Sequence, residues 1–334
     1  MGVKVWQGIA ISLSLGAIAV YYLIYRNGRV NFTNINLLWL SLAIIMVILW
    51  WIANALTAMT ISDALGLNLK IIDSIKLVLA GFSSGSITFF SSGTIPGEMA
   101  FLVAKNVPMD YALALTSIKT MMSSISKGIL ALVLASSMYN LVGSLISKIL
   151  LMLFITYGLG VGGGYLVLFS KTRYAFRLRY YIRKGLDWIG KKLKKTSHIT
   201  DILGKALSNQ PEKMEPFKKI SLWLPKYIFY TILLWGFQFS SPFFILKSLS
   251  IDTGIFQVMK IQGIFYIIQQ YLPTPGGSGI AEISYKFFYE KLVRDIPIEF
   301  IILWRGLTFY LPTIIGGILV SPQISDYIYR RRKI

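Results

Sequence analysis

The sequence predicts an all-α polytopic membrane protein built from two inverted repeats, each of three transmembrane helices plus one re-entrant helical hairpin. Three observations carry that prediction. The 334 residues are 55% hydrophobic and 14% charged, with mean hydropathy +0.62. This lies outside soluble composition, and several apolar runs approach the ~20 residues that cross a bilayer. Two of those runs are broken by Pro and Gly and followed by arms too short to cross. The pattern then occurs twice, and an odd number of crossings per copy turns the second copy over.

In chain order, Val5 to Tyr25 is the first span, long for a signal core and without a small-residue cleavage site, so it reads as retained. Leu37 to Ile61 is the second, with Trp39 suited to an interface and Trp50 and Trp51 to packing. From residue 71 to 106 an apolar arm runs into G-F-S-S-G-S-I-T-F-F-S-S-G-T-I-P-G-E. The arm after Glu98 covers about 15 Å at 1.5 Å per residue, half of a ~30 Å hydrocarbon core, so a re-entrant hairpin is expected. Pro108-Met109-Asp110 opens the third span as helix starts favour, and it runs to about Ser136. Ser117, Lys119, Ser123, Ser124, Ser126 and Lys127 make it polar.

The second repeat, 141–334, follows a first repeat of 1–140. Gly143 to Ser170 is the fourth span, and its G-L-G-V-G-G-G lacks the preceding strand and following Lys-Ser/Thr of a nucleotide loop, so helix packing explains it better. A basic segment, 171–220, holds an amphipathic stretch from Arg173 to Lys195 in which Tyr174, Leu178, Tyr181, Ile182 and Leu186 recur at helical spacing. An interfacial helix is expected there, a solvated charged linker being the alternative. Leu222 to Leu249 is the fifth span, with Pro225, Gln238 and Pro242. The second hairpin spans about 254–293, and Pro297-Ile298-Glu299 opens a last span ending near Val320.

The break in that second hairpin, Y-L-P-T-P-G-G-S-G-I-A-E from Tyr271 to Glu282, organises the rest. Pro273 and Pro275 remove backbone donors, and Gly276, Gly277 and Gly279 permit conformations that other residues avoid. Freed backbone groups at membrane depth must be buried in protein or line a wet cavity. An intramembrane Glu282 points to a site, a Pro-kinked structural helix being the blander alternative. Each half also places a cation after its hairpin: Lys119 lies 21 residues after Glu98, and Arg305 lies 23 after Glu282. Lone charges in hydrocarbon are costly, so the four are expected as pairs around a central polar chamber, or else as structural ion pairs.

Charge sets orientation. The formal charge is +20, and Lys171 to Lys219 alone holds 14 Lys and Arg against four acids. With Lys4, Lys70, Lys76, Lys105 and the C-terminal Arg-Arg-Arg-Lys, these fall on one side under the re-entrant count, placing both termini in the cytoplasm. The charge is therefore read as topogenic and lipid-facing, with anionic lipids rather than nucleic acid as partner. With no Cys and a single His198 in a polar segment, thiol chemistry and Cys/His zinc sites are excluded. No catalytic residue, metal or cofactor is assigned, and homo-oligomerisation is left open.

At P-T-P-G-G-S-G-I-A-E, together with G-T-I-P-G-E and the Arg305-Gly306-Leu307-Thr308-Phe309-Tyr310 span, the chain resembles the flippase-like transmembrane family typified by the membrane half of lysylphosphatidylglycerol synthase. The resemblance covers essentially the whole chain. It implies lipid handling: bacterial relatives translocate aminoacylated phosphatidylglycerol, and archaeal relatives are linked to polyprenyl-phosphate-linked sugars. By the same resemblance Gly97, Glu98, Pro275, Gly276, Gly277 and Glu282 match motif positions, and Arg305 matches the basic residue of the last span. Ile118-Lys119 departs from an expected Glu-Arg, and the aminoacyl-transferase domain is missing, so lipid lysylation is not expected. The expected function is a flippase for a phosphate-containing lipid headgroup, with Glu98, Lys119, Glu282 and Arg305 in contact with it. An ion- or proton-coupled carrier of a small solute is the alternative, and a lipid-phosphate enzyme the weakest reading.

Overall fold

The computed structural model describes residues 2–27, 30–137, 170–192, 220–269, 271–290 and 296–332, together with residue 293 and scattered residues between 148 and 167. The described residues form helices: α1 Gly2–Asn27, α2 Leu37–Ala64, α3 Ile71–Ser86, α4 Thr94–Ala104, α5 Met109–Ser137, α6 Arg173–Lys192, α7 Ile220–Ser248, α8 Ile255–Gln269, α9 Ile280–Tyr289, α10 Ile298–Arg305 and α11 Leu311–Arg332, with a π-helical turn at Gly306–Tyr310 between the last two. Among the described residues, three stretches are long and apolar enough to cross a membrane: Leu37–Ala64, Leu222–Ser248 and Ile298–Val320. This is an α-helical membrane protein.

α2 and α7 form the axis of the fold and run antiparallel. At one end the Asn36 N–H donates to the Ser248 carbonyl at 2.8 Å. At the other, Lys226 lies 3.7 Å from Asp63. The first helix pair, α3 and α4, starts from the Asp63 end: the Leu67 N–H bonds the Ser62 carbonyl, and Lys105 pairs with Asp73 at 2.7 Å across the base of the pair. The second, α8 and α9, starts from the opposite end, where Lys247 pairs with Asp252 and the Ile251 N–H bonds Leu246.

The two tips meet. Phe89 and Pro275 form an antiparallel bridge, and the Gly276 N–H donates to the Thr88 carbonyl at 3.3 Å. Lengths agree with this: α3 and α8, 16 and 15 residues, together reach about 46 Å at 1.5 Å per residue, against about 42 Å for the 28-residue α2.

Packing is divided likewise. Phe101, Leu102, Leu115 and Ile118 form a core around the first pair with Trp223 and Tyr227 of α7. Phe265, Tyr285, Tyr289, Phe300 and Trp304 form another around the second, with the Tyr285 and Trp304 rings stacked at 3.5 Å. Trp50 and Trp51 are buried between them with Leu79 and Leu234. Surrounding lipid is as apolar as Leu, so helix contact here depends on close packing by small residues. A Cβ at Gly97 would stand 1.8 Å from the Ser84 hydroxyl, and one at Gly316 2.2 Å from the Leu79 carbonyl.

The last span ends at Val320 as expected, and its helix continues through Pro322 to Arg332. α9 ends at Tyr289, with Glu290 as its C-cap. The π turn has no signature in apolar periodicity. The fourth span, most of 143–170, and the 197–219 part of the basic segment lie outside the described residues. α6 forms as expected; among its apolar side chains Tyr174, Phe176, Tyr181 and Trp188 are exposed.

Candidate functional site

α9 is capped at its N-terminus by Gly279, whose φ of +88° places it where an L side chain is strained. Three residues on, Glu282 reaches back to accept the Gly279 N–H at 2.7 Å, satisfying a donor that the helix start leaves open. The same carboxylate accepts Arg305 Nε at 2.8 Å and the Tyr310 hydroxyl at 2.9 Å. Tyr310 reaches it past Gly16 of α1, where a Cβ would fall 1.5 Å from the hydroxyl oxygen.

Arg305 is 1% exposed and held on several sides. Nη2 donates to the Gly276 carbonyl at 2.8 Å and to Ser278 Oγ at 3.3 Å, and Ser278 in turn shares a 2.9 Å hydrogen bond with Ser12 of α1. The guanidinium carbon lies 3.6 Å from the centroid of the Phe309 ring, a cation–π contact strengthened by desolvation. Arg305 Nη1 alone, though buried, has no hydrogen-bond partner among the described residues. The π turn begins immediately after Arg305 and contains both Phe309 and Tyr310. Such turns shift the angular register of a helix and recur at functional sites.

The first helix pair carries the other ion pair. Glu98 sits one turn into α4 behind Pro96, a position where proline costs no helical hydrogen bond. Its carboxylate pairs with Lys119 of α5. The helices approach closely here because Gly81 faces Glu98, with a Cβ at Gly81 falling 2.7 Å from Glu98 Oε1.

Between the two pairs lies a cavity of about 520 Å³. Both hairpins and both long helices line it: Glu98, Lys119 and Lys127 from the first half, Gly276, Arg305 and Thr313 from the second, with Asn54 of α2 and Gln238 of α7. Lys127 Nζ lies 5.9 Å from the Tyr266 ring centroid, and Gln262, also on the wall, accepts the Tyr285 and Tyr289 hydroxyls at 2.8 and 3.2 Å. No cluster of three His, Cys, Asp or Glu side chains suited to a metal occurs among the described residues.

The family model for the lysylphosphatidylglycerol synthase TM region matches residues 5–316. The chain belongs to this family. It is similar to a UPF0104 membrane protein of Archaeoglobus fulgidus, 23% identical over 94% of this chain and 95% of that one. A UPF0104 membrane protein of Pyrococcus horikoshii is 30% identical over a shorter match, 27% of this chain and 28% of that one. No solved structure matches.

Of the eight site residues that the sequence singles out, Glu98, Lys119, Gly276 and Arg305 line the cavity, whereas Gly97, Pro275, Gly277 and Glu282 are set back from it. Gly97 packs on Ser84, Pro275 pairs with Phe89 at the tip contact, and Glu282 is sealed behind Arg305 with no exposure. The expected chamber thus has three of its four charges on the wall. Lys127, Gln238 and Gln262 are legible in the sequence as polar positions in apolar helices, but spacing alone does not connect them to the hairpins. Ser12, Tyr310 and Thr313 carry no such signal.

Proposed function

We propose that the chain moves a phosphate-containing lipid headgroup between leaflets, with the tails left in the bilayer and the headgroup passing through the central cavity. The observation that carries this is the wall's charge: Lys119, Lys127 and Arg305 against Glu98, at the junction of both hairpins. Cations in excess of acids on the wall suit an anionic group, Lys as a point charge and the buried Arg305 as a directed donor. Six crossings, with the hairpins re-entrant from opposite leaflets and both termini cytoplasmic, complete the reading. It draws support from hairpin bases at opposite ends of the α2–α7 pair, from tips that meet between them, and from the basic residues on α6 and at the C-terminus. Inverted repeats around a mid-membrane site are a recurring transporter plan, and the process needs no covalent chemistry by this chain.

The test is translocation of fluorescently labelled phosphatidylglycerol in proteoliposomes, read by a membrane-impermeant quencher. Parent protein is expected to expose inner-leaflet lipid faster than Lys119→Gln and Arg305→Ala proteins whose folding is verified by thermal unfolding. Equal rates for all three overturn the proposal, and transport of a soluble solute without lipid movement favours a solute carrier.

A further inference from the structure

Threonines in the apolar helices turn their hydroxyls onto their own backbone: Thr60 donates to the Leu56 carbonyl, Thr120 to Thr116, Thr231 to Tyr227 and Thr308 to Trp304. Thr313 is an exception. It is 2% exposed and lines the cavity, and its hydroxyl has no hydrogen-bond partner among the described residues. Trp304 and Arg305, 2% and 1% exposed, line the same cavity, and Trp304 Nε1 and Arg305 Nη1 are likewise buried without a partner among those residues. Gln238 of α7 is a fourth wall residue of this kind, its amide able to present either a donor or an acceptor. A buried donor left unpaired carries its full desolvation cost, so three on one stretch of wall point to a ligand.

The π turn places them. At 3.6 residues per turn each residue advances about 100°, so Thr313, eight residues after Arg305, would stand about 80° away from it on a regular helix. The extra residue taken into the turn at Gly306–Tyr310 takes back about 100°. Thr313 therefore lies within about 20° of the Arg305 line, on one face of the span. Trp304 is beside them, its ring centroid 5.6 Å from the guanidinium carbon.

The chemistry of the set is one-sided. Indole and guanidinium nitrogens donate and do not accept, and a hydroxyl can also donate. Such a set rejects an ammonium or a metal cation and fits a group made of acceptor oxygens. Arg305 Nε and Nη2 are already engaged by Glu282, Gly276 and Ser278, so Arg305 cannot grip an oxyanion with its whole fork.

We propose that Trp304, Arg305 and Thr313 form an oxyanion subsite that receives the oxygens of a phosphoryl group, with Thr313 as a specificity-determining residue. The inference rests on the lipid-headgroup reading above for its occupant and adds where on the wall the phosphate is held.

The experiment is calorimetric titration of detergent-purified protein with dihexanoyl phosphatidylglycerol, inorganic phosphate and dihexanoylglycerol, which lacks the phosphate. The parent is expected to bind phosphatidylglycerol, to bind inorganic phosphate more weakly, and to leave dihexanoylglycerol unbound. Thr313→Val is expected to weaken both phosphate probes about tenfold, as loss of one hydrogen bond to a charged group implies, and Thr313→Ser to restore them. Without ligand, Thr313→Val should unfold at the parent temperature or above it, because an unpaired buried hydroxyl has been removed. Trp304→Phe, which keeps a ring against Tyr285, should also weaken both probes.

Parent-like binding of both phosphate probes by Thr313→Val overturns the subsite and leaves the headgroup reading standing. A fall in its unfolding temperature together with its affinity assigns the hydroxyl to packing and overturns the subsite as well. Parent binding of inorganic phosphate but not of phosphatidylglycerol keeps the subsite and overturns the lipid reading. Binding of neither, or of dihexanoylglycerol as tightly as phosphatidylglycerol, overturns both.

Discussion

Gly276 donates its N–H to the Thr88 carbonyl, which joins the tip of the second hairpin to the tip of the first. The carbonyl of Gly276 accepts Arg305 Nη2 at 2.8 Å, so one residue ties the tip contact to the buried cation on the cavity wall. Whatever engages Arg305 is therefore one residue away from the joint between the two halves.

Gly276→Ala tests that joint. At φ +58°, and with its Cβ 2.3 Å from the Phe309 ring, alanine there is strained twice. A loss of about 1–3 kcal/mol is expected, seen as a lower unfolding temperature in detergent, together with slowed translocation. Adding Phe309→Ala should recover the steric part and leave the backbone part.

The Glu282–Arg305 pair is the most deeply buried charge pair among the described residues, at 0% and 1% side-chain exposure. Removing either partner leaves the other charged and buried, at a cost of about 3–5 kcal/mol. A double-mutant cycle with Glu282→Gln and Arg305→Met should give a double variant more stable than the sum of the singles implies. Additive losses would show that the two side chains act independently.

Glu98→Gln leaves Lys119 charged and deletes the one carboxylate on the described wall. Affinity for anionic headgroups is expected to rise several-fold, about what one added interaction of 1 kcal/mol gives, whereas Lys119→Gln should lower it. Titration of both proteins with vesicles of graded phosphatidylglycerol content checks the opposite signs.

Gly97 tests packing against binding. Gly97→Ala is expected to destabilise the first hairpin, because its Cβ would meet both Ser84 Oγ at 1.8 Å and Ser84 Cβ at 2.5 Å, and Ser84→Gly in the same chain, which removes both contacts, should restore part of the loss. If translocation stays absent when stability returns, Gly97 has a role in the site beyond packing.

The helical elements were legible because apolar runs, Pro and Gly report directly on what a backbone can do in lipid. The hairpins could be located from Pro275-Gly276-Gly277 and Pro96-Gly97-Glu98, and the two ion pairs from the cost of a lone buried charge. What sequence did not reveal are relations across elements. Glu282 is turned from the wall by Tyr310 and the Gly279 N–H, contacts at separations of 28 and 3 residues, and the first of these depends on Gly16 in another helix. The π turn at Gly306–Tyr310 is not legible in the sequence because one extra residue in a helical turn leaves composition and periodicity almost unchanged.

The central claim is that the hairpins enter from opposite faces of the membrane, and the absence of native cysteine gives a clean background for testing it. Asn68→Cys marks the base of the first hairpin and Asp252→Cys, at a side chain 91% exposed, the base of the second. With a membrane-impermeant maleimide on intact cells, labelling of Asp252→Cys is expected from outside and of Asn68→Cys only after the membrane is opened. Labelling of both from the same side would contradict it.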